Sequence, residues 1–149
     1  MHLDDLRVRK MILETAQILC AALWIRGIWQ EGMYRPTHLR HPCVLWAEET
    51  PGAAWWLVQH AWELEEARRM AGAARAHASL AMAERAGQLL MLDCSEHATC
   101  EVARFANCTG MVLEEGACVH LLYRERMRSK WRDMRDPPTW RGREVPAWL

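Results

Sequence analysis

Arg7, Lys10, Glu14 and Gln17 are spaced by three or four positions, so they share one face of any helix that contains them. A carboxylate flanked by cations on such a face can hold a positive centre or accept a proton. An amine one turn away can act as a nucleophile. The same spacing also describes a solvated face, on which Lys10 and Glu14 form an ordinary surface pair.

A second group lies in YRPTHLRHPCVLW, where Arg35, His38, Arg40 and His41 stand beside Tyr34 and Trp46. Basic groups interleaved with aromatics suit phosphate contact and base stacking, and a neutral histidine can carry a proton. The alternative is structural, with His41 capping the next helix and Trp46 in the core. His38, His41 and Cys43 also carry metal-ligating atoms. No second ligand pair with finger-like spacing follows them, so no metal is expected, and no cofactor either. The third group is C-terminal. From residue 120 onward, eight cationic residues face four acidic ones, and Trp131, Trp140 and Trp148 punctuate the stretch. Such a composition fits a nucleic-acid-facing surface, and equally a solvated helix followed by a tail pinned by its tryptophans.

These residues must be positioned by helices. Asp4 and Asp5 read as an N-cap and first turn, and Leu6, Val8, Ile12, Ala16, Leu19 and Leu23 recur near helical spacing, predicting a helix over residues 4–25. Gly27, Gly32 and Pro36 imply a loop. His41-Pro42 opens a short helix through Trp46 to Glu49, and Thr50-Pro51 caps another that runs to about Met70 on the stripe Ala54, Leu57, Val58, Ala61 and Leu64. Alanine, leucine and methionine then favour a helix over residues 71–92. Residues 93–116 read as loop-rich, residues 117–134 as helical, and Pro137-Pro138 begins an extended tail, TWRGREVPAWL. The expected fold is a mostly α, single compact helical domain spanning residues 1–149, with that extended C-terminal tail.

Composition sets further bounds. Lysine and arginine number 19 and so do the acidic residues, so only local clusters can argue for a polyanionic partner; residues 46–70, with five glutamates against two arginines, show how polarised the neutral total is. No run approaches the roughly 18 apolar residues of a membrane span, and MHLDDLRVRK lacks a signal peptide's apolar core. A cytoplasmic protein without a membrane partner is expected. Its six cysteines include no C-x-x-C pair and read as buried free thiols.

Taken together, LDDLRVRKMILETAQILCAAL, YRPTHLRHPCVLWAEE, WWLVQHAWEL, HASL, FANCT, YRERMRSKW and PPTWRGREVPAWL resemble a group of small phage and bacterial proteins distantly similar to the phage pyrimidine-dimer DNA glycosylase, endonuclease V. In that glycosylase family a chain-terminal amine attacks the sugar carbon bearing the damaged base, and a glutamate on the first helix stabilises the cationic intermediates. The resemblance puts Glu14 at that glutamate's position. The extended segment that usually precedes the helix is short here, so the amine would come from Met1 or from Lys10.

The resemblance implies a phage-type DNA-binding protein, a base-excision DNA glycosylase/lyase acting on damaged or modified bases, placed in the host cytoplasm if phage-encoded. Glu14, Lys10, His38 and His41 are then the catalytic candidates. Arg7, Arg35, Arg40, Arg126, Lys130, Trp131, Arg132, Arg141 and Arg143 are the nucleic-acid contacts. The competing readings are a non-catalytic helical module that binds a host or phage protein, and a small-ligand binder using the histidine and tryptophan cleft.

Overall fold

The computed structural model describes residues 3–93, 102 and 104–149. The fold is mostly α. Its described elements are α1 (Asp5–Ile25), α2 (Pro42–Glu49), α3 (Pro51–Met70), α4 (Leu80–Leu92) and α5 (Val119–Arg132), with no strand among the described residues. None of these helices is long and apolar enough to cross a membrane.

The expected N-caps of the first three helices are all present. The Asp4 carboxylate accepts from the amides of Leu6 and Arg7, His41 Nδ1 from Cys43, and Thr50 Oγ1 from Ala53. Prolines 42 and 51 occupy the first helical positions, where a missing N–H costs nothing. α1 changes character along its length. It buries one stripe at Val8, Ile12, Thr15 and Ala16, then every residue from Leu19 to Leu23 as α2, α3 and α4 close around it.

Both long helices end on a glycine in the left-handed region. Gly27 (φ 73°) donates to Trp24 while Ile28 donates to Leu23; Gly72 (φ 94°) donates to Arg69 while Ala73 donates to Arg68. This paired pattern satisfies the last carbonyls of each helix and turns the chain away.

The second of these turns corrects the expected helix over residues 71–92, which begins only at Leu80. α3 captures the intervening backbone. Glu65 accepts the amide of His77 at 3.3 Å, Arg68 donates to the carbonyl of Arg75, and His77 Nδ1 accepts the amide of Ser79. Alanine propensity, worth tenths of a kcal/mol per residue, yields to these bonds. Residues 117–134 were expected to be helical, and α5 is two residues shorter at each end. The loop expected over residues 93–116 lies partly outside the described residues; its described part contains no helix. The C-terminal tail makes turns, from Trp140 to Arg143 and from Pro146 to Leu149, where an extended run was expected.

Gly87 lies mid-helix, where glycine is a poor choice, because α4 presses on α3 there. A β-carbon would sit 2.2 Å from Val58 Cγ2. Replacing Gly87 with alanine gains about 1 kcal/mol of helix propensity, but Val58 is β-branched and cannot swing aside, so overpacking of about 1–3 kcal/mol dominates. We expect a lower urea midpoint for Gly87→Ala and recovery in the Gly87→Ala/Val58→Ala double variant. Equal or higher stability of the single variant would show that the helices separate freely here.

Candidate functional site

The polar face of α1 opens on a cavity of about 310 Å³, lined by Glu14, Gln17 and Ile18 of α1, Thr37 and His38 of the following loop, and His41 and Val44 of α2. His38 takes a left-handed backbone (φ 53°), a conformation that costs a non-glycine residue energy. Its carbonyl accepts the His41 amide at 2.7 Å, which closes the turn carrying both imidazoles. Of the face expected from Arg7, Lys10, Glu14 and Gln17, Glu14 and Gln17 line the cavity and Lys10 pairs with Glu14, which shares the cleft with both histidines. Lys10 Nζ lies 3.1 Å from Glu14 Oε1; the lysine side chain is 69 % exposed and the glutamate 37 %.

Beside this cleft sits a cluster that spacing did not reveal. Cys108 enters from the loop before α5, and its Sγ lies 3.3 Å from that of Cys43. The ligand atoms of His41, Cys43 and Cys108 all fall within 4.8 Å of one another. His38, the third donor suggested by the sequence, is replaced in this trio by Cys108. Burial pushes the Cys43 thiol up to about 12, helped by the neighbouring Cys108 sulfur and by the charge of Glu14, so the thiol is protonated at neutral pH. Tyr123 of α5 holds the loop in place, its hydroxyl accepting the Cys108 amide at 3.0 Å and donating to the Ala106 carbonyl at 2.8 Å. Of the described cysteines only Cys20 is the buried free thiol expected. Cys43 and Cys108 are half-buried and Cys118 is exposed, whereas Cys94 and Cys100 lie outside the described residues.

The basic and aromatic candidates divide into two sets. Arg35, Arg40, Arg126, Lys130 and Arg132 are exposed. Arg7, Trp131 and Arg143 are taken up inside the fold, which corrects their reading as nucleic-acid contacts. Trp131 is buried, donates its indole N–H to Asp4 Oδ2 at 2.5 Å, stacks on Trp148 and meets Trp140 edge-on. Arg7 pairs with Asp4 and lies over the Trp131 ring. Arg143, only 6 % exposed, binds Asp5 Oδ1 and the Leu3 carbonyl, both at 2.8 Å. Arg141 is 73 % exposed, yet it also pairs with Asp5, at 3.0 Å. Tyr34 and Trp46 are likewise structural, the first bonded to Ser79 and the second buried against Trp56 and Phe105. Met1, the other candidate amine, lies outside the described residues.

No family model, no curated protein and no solved structure matches the chain.

The clasp between α1 and the tail generates a pH prediction. Burial alone would raise the Asp5 carboxyl, but hydrogen bonds from Arg143, Arg141 and Thr139 outweigh it and hold the group at about 2. Because the folded value lies below the ordinary 3.8, the stabilisation is complete above about pH 4 and is lost as pH falls through 2. At neutral pH it is worth about 2 kcal/mol. Asp5→Asn should therefore lower stability at pH 7 and flatten its dependence between pH 4 and 2, as read from chemical denaturation across that window. An unchanged acid limb would mean that the clasp contributes nothing to this titration.

Proposed function

We propose that the protein binds DNA and uses the cleft beside Glu14 for base-excision chemistry of the glycosylase/lyase kind. The observation carrying this reading is the convergence of Glu14, His38 and His41 on one cavity, with the Lys10 amine paired to the same glutamate. A volume of about 310 Å³ suits a single small ligand such as a nucleotide turned out of its helix. Arg35 and Arg40 flank His38 in the chain and are exposed, as suits cations that grip phosphate. α5 extends the basic surface. It is bonded to the Cys108 loop through Tyr123 and to the start of α1 through Trp131, so exposed Arg126, Lys130 and Arg132 belong to the helix that connects the two regions.

In the reaction the Lys10 ammonium first gives a proton to a neutral histidine of the cleft, and the freed nitrogen bonds to the sugar carbon as the base departs with the electron pair of the glycosidic bond. The Glu14 carboxylate stabilises the positive charge that develops on the sugar, and a histidine supplies the proton that the leaving base takes up. A second reading, a non-catalytic interaction module, draws on exposed Trp24, Ile25 and Leu92 at the ends of α1 and α4, which the Arg26–Asp93 ion pair ties together. That apolar patch suits a protein partner.

Borohydride trapping on an abasic duplex separates the two. The parent should form a covalent adduct, Lys10→Met should abolish it, and Glu14→Gln should slow it about 100-fold or more. In the same preparation, reversing Arg126 and Lys130 to glutamate should weaken DNA binding and reduce the slope of log affinity against log salt by roughly 0.9 for each phosphate that is no longer neutralised. Absence of any adduct together with salt-independent binding would leave the interaction module as the better account.

A further inference from the structure

The fold brings Cys108 to an imidazole and a thiol that are near neighbours in the chain, and the geometry of the three suits a metal better than any other use. Cys43 stands in the first turn of α2 and Cys108 is 65 residues further on, yet their sulfurs are 3.3 Å apart, with a nitrogen of the capping residue His41 completing a triangle whose sides are all under 4.8 Å. On a tetrahedral zinc with bonds of about 2.3 Å to sulfur and 2.0–2.1 Å to nitrogen, ligand atoms lie roughly 3.4–3.8 Å apart. The cluster reaches that spacing with shifts of a few tenths of an ångström to about 1 Å.

We propose that His41, Cys43 and Cys108 form a zinc site whose fourth coordination position faces the Glu14 cavity. The donor set is the soft and borderline one that selects zinc over magnesium or calcium. Three features of the surroundings favour a built site. The Cys108 loop is clamped by the Tyr123 hydroxyl, and Asn107 and Thr109 fold it further, Asn107 Oδ1 accepting from the Thr109 amide at 3.1 Å and Thr109 Oγ1 from the Met111 amide at 3.1 Å. The two sulfurs are half-buried while His41 is exposed, so an ion there would be gripped from the protein side and approached from the other. His41 lines the same cavity as Glu14. An open position beside a carboxylate is the arrangement of a catalytic ion, whereas a purely structural zinc is closed by four protein ligands.

His41 Nδ1 accepts the Cys43 amide at 3.2 Å. A metal on that nitrogen takes the lone pair and releases an amide at an exposed helix end, where water takes over the hydrogen bond. The site is therefore loaded at little cost to α2. The inference stands on these three residues and does not depend on DNA binding.

The test uses the full chain, reduced and stripped with a chelator, titrated with zinc and separately with cobalt(II). One ion per chain is expected, and the cobalt form should show thiolate-to-metal charge transfer and the intense visible absorption of a tetrahedral centre. Cys43→Ser and Cys108→Ser should each lose that signature, while Cys118→Ser, outside the cluster, keeps it. His41→Asn is the informative variant, because asparagine still caps α2 but cannot replace the imidazole; its affinity should fall at least as far as the roughly 10–100-fold that disturbing a ligand's supporting shell brings. Circular dichroism distinguishes loss of ligands from loss of fold. The proposal is overturned if the reduced chain binds zinc no more tightly than the Cys43→Ser/Cys108→Ser double variant. It is equally overturned if both serine variants keep the cobalt spectrum, or if the pair simply closes to a disulfide in air and takes up no metal when reduced.

Discussion

Burial of every residue from Leu19 to Leu23 is the constraint from which the rest of the architecture follows. A helix enclosed on all sides must present small side chains wherever a neighbour approaches closely, and Cys20, Ala21 and Ala22 provide them, allowing α3 and α4 to pack against α1 and each other. The N-terminal half of the same helix buries only its Val8–Ile12 stripe, against Leu64 and Ala67 of α3. Its polar face is therefore left to α2 and the loop before it. Glu14 sits where the enclosed half gives way to the open half, and a cleft forms there because the short α2 covers only part of what α1 exposes.

The same helix explains the fate of the basic C-terminus. Asp4 and Asp5 have local work, capping α1 and placing negative charge at the positive end of its dipole. They also capture α5 and the tail, Asp4 through Trp131, Asp5 through Arg141, Arg143 and Thr139. Burying two carboxylates carries a desolvation cost, which the convergent hydrogen bonds offset. Gly142 completes the attachment. With φ at 70° and the Met70 carbonyl in the space a β-carbon would fill, no other residue fits that turn without strain. The cationic excess counted in the sequence is thus partly an internal counter-charge, and the surface excess is smaller than the count.

Local rules read the chain well. Asp4, His41 and Thr50 cap the helices they were expected to cap, and the apolar spacing of α1 and α3 matched the buried faces, because caps and periodicity depend on residues within one or two turns. Glu14 and the two histidines were legible for the same reason, and the turn at His38 made them neighbours. What escaped was long-range pairing. Nothing near Asp5 announces an arginine 138 residues away, and nothing near Cys43 announces Cys108. Trp131 shows the ambiguity plainly. An indole in a basic stretch suits base stacking and core packing equally, and only the position of Asp4 decides for the core. The helix expected over residues 71–92 is present only from Leu80, because alanine propensity was given more weight than Gly72, which instead ends α3.

The cleft and the thiol cluster make different demands on Glu14, and charge arithmetic shows that they are compatible. Zinc bound by two thiolates and a neutral imidazole has no formal net charge, so a loaded site does not displace Lys10 as the counter-ion of Glu14. A zinc ion held by His41, Cys43 and Cys108 would supply Lewis acidity to a water molecule in the cleft. A carboxylate sharing that cavity is placed to accept the released proton. In the proposed amine route Glu14 would serve instead as a fixed negative charge that stabilises a cation on the sugar. The two would differ in their products, since attack by the lysine nitrogen would leave the chain bonded to the sugar for part of the cycle, whereas attack by water would not. One glutamate can serve either because both routes require the same thing of the fold, a carboxylate kept at the rim of a polar cleft by the enclosed half of α1.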